Sequence, residues 1–129
     1  MTLKCLIVED SSFMIEIFRY SLADITNIDI VAEAHDGLEA IKLISEIKPD
    51  ILILDLILPL KNGIEVLREI SHLSPKTRTI VVSSLDDEAT ISRAKALGAI
   101  KYLTKPFTKT QLVNAIDEIS KDYAEVNNG

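Results

Sequence analysis

Charged and hydroxyl side chains stand where apolar runs stop. Glu9 and Asp10 follow Leu6-Ile7-Val8, Asp55 follows Ile51-Leu52-Ile53-Leu54, Ser83 follows Thr79-Ile80-Val81-Val82, and Lys105 follows Ile100-Lys101-Tyr102-Leu103-Thr104. An ionised acid inside a buried strand costs several kcal/mol unless something compensates. Asp55 avoids that cost at a strand end, with apolar residues behind it and a turn through Pro59 and Lys61-Asn62-Gly63 ahead. Carboxylates gathered at one edge repel one another and bind protons more tightly unless a cation sits among them. Their hard oxygen atoms suit Mg²⁺, which takes one or two direct carboxylates and keeps several waters. A lysine and a hydroxyl at the same edge could neutralise and hydrogen-bond a phosphoryl oxygen. Carboxylate nucleophile, divalent metal and cation make a phosphoryl-transfer site, where positioning and charge neutralisation supply most of the rate. Asp55 is the expected nucleophile, being central and backed by the most apolar strand.

These residues need strands that end at a common edge. Short β-branched runs alternate with stretches of helical period, which predicts a parallel sheet covered on both faces. Strands are expected at about Lys4–Val8, Ile28–Ala34, Ile51–Leu54, Arg78–Val82 and Ile100–Thr104. Met14, Ile17, Phe18, Leu22 and Ile25 mark the buried side of a first helix. Gly37 opens a second, with Ala40, Ile41, Ile44 and Ile47 inward and Pro49 as its stop. Val66, Leu67, Ile70 and Leu73 mark a third after Asn62-Gly63, closed by Ser74-Pro75. Asp86-Asp87-Glu88 places acids in the first turn of a fourth, whose inner face is Ile91, Ala94 and Leu97, with Gly98 at its end. Thr108 and Gln111 fit a capping box for a last helix burying Leu112, Ala115, Ile116 and Ile119. The domain is expected over residues 1–124, with 125–129 a short frayed C-terminal tail.

Bulk composition removes several classes. One domain is the natural reading of 129 residues. The formal net charge of −6 argues against nonspecific binding to nucleic acid or an anionic membrane. The single cysteine, Cys5, can form no internal disulfide, which suits a reducing cytoplasm. No signal peptide is evident after Lys4, and the longest apolar run is about half a membrane span and interrupted by Asp55.

Glu9-Asp10, Asp55 with Pro59 and Gly63 beyond it, Ser83, and Lys105-Pro106-Phe107 together resemble the receiver domain of two-component response regulators, most nearly the single-domain chemotaxis type. The match runs in order along nearly the whole chain. It implies a flavodoxin-like α/β fold, with five parallel strands in the order 2-1-3-4-5 and five helices. It implies that Asp55 accepts phosphate from a histidine kinase or phosphotransfer protein. Asp10, Asp55 and the Ile57 carbonyl would bind Mg²⁺ directly and Glu9 through water. Ser83 would bond the phosphoryl group, Lys105 would pair with it across a cis peptide to Pro106, and Tyr102 would be the switch aromatic. Output would pass to a protein target through the fourth helix, strand five and last helix, using groups such as Lys95, Lys101, Lys109 and Gln111. A cytoplasmic monomer or weak phosphorylation-dependent dimer follows, catalysing only its own phosphorylation and dephosphorylation. Glu9 stands where aspartate is also common, and Ser83 keeps the hydroxyl of the more frequent threonine without its methyl group.

Plainer roles compete at single residues. Asp55 could be a solvated strand-end acid, and Asp10 or Ser11 a helix cap. Tyr102 could be strand filler, Cys5 and Phe107 packing, and His35 and His72 solvated surface. Other functions compete for the whole. An aspartyl-phosphate phosphatase of the haloacid-dehalogenase kind would want paired aspartates after strand one, where Glu9-Asp10-Ser11 stands. A flavin binder would want a Ser/Thr/Gly-rich loop there, and the two acids would repel its phosphate. The receiver half of a longer regulator is the remaining alternative, with no DNA-binding segment expected in this chain.

Overall fold

The computed structural model describes residues 2–128. Strands β1 (Leu3–Val8), β2 (Ile28–Ala34), β3 (Ile51–Leu54), β4 (Arg78–Ser83) and β5 (Ala99–Thr104) alternate with helices α1 (Ser12–Leu22), α2 (Gly37–Ile47), α3 (Gly63–Leu73), α4 (Glu88–Ala96) and α5 (Lys109–Asn128). All strand pairs are parallel, in the order β2-β1-β3-β4-β5. The central strands are apolar on both sides because both sides are covered. Cys5, Ile7, Ile51, Ile53, Ile80 and Val82 pack beneath α1 and α5 with Phe18, Leu22, Leu112 and Ile116. Leu6, Val8, Leu52, Leu54 and Val81 face the other way, onto Ala40 and Ile44 of α2, Val66 and Leu67 of α3, and Ala94 of α4. Alternate residues of one strand thus feed two separate cores, as the two-residue period requires. Full burial of an aliphatic side chain is worth about 2 kcal/mol, so the central strands are the stiffest part of the molecule.

Helix starts follow local chemistry. Ser11, Asp36, Asn62 and Asp87 cap α1 to α4 with side-chain oxygens that accept backbone N–H groups three residues on, and Asn62 with Glu65 completes a capping box. Thr108 and Gln111 bond reciprocally at the start of α5. Gly98 takes a φ of 111° between α4 and β5, a conformation that favours glycine.

Some expectations need correction. In α1 the buried residue is Ile15, with Phe18 and Leu22 at steps of three and four, whereas Ile17 is half-buried. The helix stops at Leu22, so Ile25 packs against the core from the following loop. β4 and β5 are each one residue longer than the runs suggest, since Ser83 and Ala99 still pair across the sheet. α5 continues to Asn128 where a frayed tail is expected, because nothing from Ala124 to Asn128 is a helix breaker. Gly129 lies outside the described residues.

Candidate functional site

The parallel strands bring their C-terminal ends to one edge, and the polar residues collect there. Glu9 follows β1 with its N–H donating to the Ala34 carbonyl at 2.9 Å, and Asp55 follows β3 with its N–H donating to the Val8 carbonyl at 3.0 Å. Each acid is therefore locked to the neighbouring strand. Glu9 is only 1% exposed and Asp55 5%, while Asp10 faces solvent. Carboxylate oxygens of Glu9, Asp10 and Asp55 lie within 4.8 Å of one another. Such an all-oxygen, acidic set, open to water at Asp10, fits a hard divalent cation such as Mg²⁺.

Lys105 answers the two buried charges. Its backbone N–H donates to the Ser83 carbonyl at 2.9 Å, placing it beside the end of β4. Its Nζ donates to Glu9 Oε1 at 2.6 Å and to Asp55 Oδ2 at 2.8 Å. The remaining oxygens take backbone donors: the Ser11 N–H to Glu9 Oε2 at 3.1 Å and the Ile57 N–H to Asp55 Oδ1 at 3.1 Å. Burial raises the pKa of Glu9 and the Asp55 charge adds to that, while Lys105 and the Ser11 N–H pull it back. Burial pushes the Lys105 ammonium down, but the hydrogen bonds to Asp55 and Glu9 outweigh it, and its pKa is raised. The peptide from Lys105 to Pro106 is cis, as expected. Phe107 beyond it stacks on Phe18 with ring centroids 5.4 Å apart, which is packing.

Two loops complete the site. After Asp55, the chain turns through Leu56–Asn62 into α3, and the Gly63 N–H closes the loop by donating to the Leu56 carbonyl at 2.9 Å. A Cβ at Gly63 would meet the Asp55 carbonyl oxygen at 2.5 Å, so only glycine permits this return. After Ser83, which is fully buried, the Leu85 N–H donates to Ser83 Oγ at 3.4 Å. The Leu85 carbonyl in turn accepts the Tyr102 hydroxyl at 2.5 Å. One loop residue thus ties the Ser83 hydroxyl to the aromatic side chain on β5.

Glu9, Asp10, Asp55 and Lys105 are brought together as expected, and the backbones at Ile57 and Ser83 join them. His35 lies on the surface between Glu33 and Glu39, and His72 is exposed in the last turn of α3. Cys5 is fully buried and desolvation pushes its thiol up to about 12, so it is an inert core residue. Lys101 pairs with Glu118, while Lys109 approaches Asp24 at 3.5 Å and lies over the Tyr20 ring, toward α1 rather than beside α4. Gln111 spends its carbonyl on the α5 cap. The spacing gave no sign of the Glu9–Lys105 bond, which spans 96 residues, or of Leu85 as the Tyr102 acceptor.

A parallel five-stranded sheet carrying an acidic cluster and a lysine at its C-terminal edge defines the class of receiver-like α/β domains. The family model of the response regulator receiver domain matches residues 5–117, and the chain belongs to that family. It is 34% identical over 119 residues to the chemotaxis protein CheY of Listeria monocytogenes, covering 92% of this chain and 99% of that protein. The receiver domain of AraT, a response regulator from Geobacillus stearothermophilus, superposes with a TM-score of 0.90 at 27% identity, covering 98% of this chain and 99% of that one. A chain in the CheX–CheY–BeF₃–Mg²⁺ complex from Borrelia burgdorferi gives 0.85 at 25% identity, covering 91% and 88%. This is a CheY-like receiver domain of two-component signalling, with a flavodoxin-like fold. Among the described residues no helix is long and apolar enough to cross a membrane.

Proposed function

We propose that this chain is a cytoplasmic phosphorylation switch in which Asp55 takes a phosphoryl group from the phosphohistidine of a sensor kinase or phosphotransfer protein. The observation that carries it is one side chain: Asp55, rigid at the end of β3, held by Lys105 and within 4.8 Å of two further acids. A carboxylate oxygen of Asp55 attacks phosphorus, the P–N bond to the donor imidazole breaks, and that nitrogen keeps the electron pair. Asp10, Asp55 and the Ile57 carbonyl would hold Mg²⁺ directly, with Glu9 acting through water. The ion supplies charge neutralisation for the phosphoryl oxygens. Lys105 starts 2.8 Å from the nucleophile and pairs with a phosphoryl oxygen once the acyl phosphate forms. The BeF₃ and Mg²⁺ of the Borrelia complex support the same pairing of ligand and ion here. Water hydrolyses the acyl phosphate in time, and the chain catalyses no other reaction.

Exposed apolar side chains stand in the first turns of α1 and α2 and in the loop after β3: Phe13 at 71% exposure, Leu38 at 54%, Ile57 at 50% and Leu60 at 76%. They offer the donor protein a surface centred on Asp55. For output, the Ser83 hydroxyl turns to the phosphoryl group and releases the Leu85 N–H. The Leu85 loop also anchors Tyr102, so the ring is freed to turn inward and reshape the surface of α4, β5 and α5, where a downstream protein binds. Phosphorylation shifts this equilibrium only by its preference for one arrangement, so both pre-exist. The domain acts as a monomer or weak phosphorylation-dependent dimer. Beryllofluoride with Mg²⁺ should move amide resonances of the wild type from Asp55 through Ser83 to Tyr102, and Asp55→Asn should show none of these shifts. Shifts confined to the acidic pocket, or persisting in Asp55→Asn, would defeat the reading.

A further inference from the structure

The loop from Asp55 to α3 is fixed at its root by Gly63 and at its tip by a second glycine, on a different element. Gly37 opens α2 and is buried there. Its N–H donates to the Pro59 carbonyl at 3.2 Å, and the same carbonyl accepts the Lys61 N–H at 2.8 Å. The tip curls tightly between them, with Leu60 at a φ of 69°, a left-handed conformation that is uncommon for leucine. A Cβ at Gly37 would lie 1.8 Å from the Lys61 carbonyl oxygen, 2.5 Å from its carbon and 2.6 Å from its Cβ. No side-chain rotation relieves such a clash, because the obstructing atoms are backbone or its root. The shelf itself is firm: Asp36 caps α2 by accepting the Glu39 N–H at 2.8 Å, and Lys61 Nζ donates to Glu69 Oε2 at 2.7 Å.

Between root and tip lie Leu56, Ile57 and Leu58. Their peptides have little freedom once both ends are seated. We propose that Gly37 is a positioning residue: by presenting no side chain, it seats the loop tip on α2 and so sets the aim of the Ile57 carbonyl and the Asp55 carboxylate. The link at the site end is the Ile57 N–H bond to Asp55 Oδ1, at 3.1 Å. This inference rests on the proposed role of those groups in holding Mg²⁺ and phosphate. Helix propensity makes the opposite prediction for the same residue. Alanine is the better helix former, so a purely helical role would make Gly37→Ala neutral or stabilising.

The test is a Mg²⁺ titration of the full chain followed by amide resonances, in wild type, Gly37→Ala and Gly98→Ala. Gly98 is the control, because its φ of 111° makes alanine strained while nothing lies within 4 Å of the added carbon. It sits before β5, at the sheet edge away from the acids. Gly37→Ala should weaken Mg²⁺ binding about tenfold or more, as lost supporting contacts around metal ligands do. Gly98→Ala should melt at a lower temperature and bind Mg²⁺ as wild type does. Equal affinity in Gly37→Ala and wild type, or the same loss in both variants, would overturn the inference. Should Gly37→Ala fail to fold, wild type still decides: the Gly37 amide should titrate with the same midpoint as that of Ile57. A Gly37 resonance that stays fixed while Ile57 moves would count against it. Wild type showing no Mg²⁺-dependent shift at all would overturn the underlying functional reading instead, and this inference with it.

Discussion

Lys105 stands between two buried carboxylates, and its charge is what lets both persist there. Its Nζ serves Glu9 and Asp55 at once, so neither acid is left as an uncompensated buried ion. The compensation is incomplete at Glu9, whose pKa stays above the ordinary 4.5 because burial outweighs the bonds it receives. The folded protein therefore holds this proton more tightly than the unfolded chain does. Ionised Glu9 costs stability at neutral pH, and that cost fades as pH falls through the raised pKa toward 4.5. Lys105 works in the opposite sense: its stabilising contribution is complete below its ordinary 10.5 and is lost as pH climbs through its raised value. In chelator, the melting temperature of wild type relative to Glu9→Gln should rise as pH falls from about 7 to about 5. Saturating Mg²⁺ should flatten that difference, since a cation beside Glu9 favours its ionised form and offsets the effect of burial. Parallel melting curves across this range, with and without Mg²⁺, would show that Glu9 is not a strained acid.

Among the helices, α4 is the least anchored. It buries only Ala94 completely, whereas α1, α2 and α3 each bury three or more residues. It also follows the Leu85 loop, held by Ser83 Oγ and the Tyr102 hydroxyl. A helix that must respond to phosphorylation is best built from this loosely held end of the stability range. Amide exchange in α4 should be faster than in α3, and Tyr102→Phe should speed it further while leaving β3 unchanged. Exchange in α4 as slow as in α3 would place the switch elsewhere. The apolar pattern gave α4 an inner face of Ile91, Ala94 and Leu97, of which only Ala94 is fully buried, whereas the identity of every strand was visible. The two-residue and 3.6-residue periods carry that information directly, and the capping residues fix helix starts. Ile15 in place of Ile17 and the loss of Ile25 from α1 were not visible, because helical phase and helix end depend on where α1 meets the sheet. The fate of Lys109 was hidden for a related reason: it depends on the packing of the α5 start beside α1.

At the scale of the whole molecule, a parallel sheet in the order 2-1-3-4-5 gathers Glu9, Asp10, Asp55, Ser83 and Lys105 at one edge, although Glu9 and Lys105 lie 96 residues apart. The acids and the lysine could be picked out singly by type and position. Which partners they take could not, since a bond across the sheet leaves no trace in local spacing. The Gly37 contact with Lys61 is hidden in the same way, between helix start and loop tip. The most direct test is to phosphorylate the wild-type chain with acetyl phosphate and Mg²⁺, trap the product with borohydride and locate the modified residue by peptide mass mapping. Modification at Asp55, absent without Mg²⁺, is the expected result. An unmodified Asp55, with phosphate on Ser83, a histidine or any other residue, would contradict the assignment.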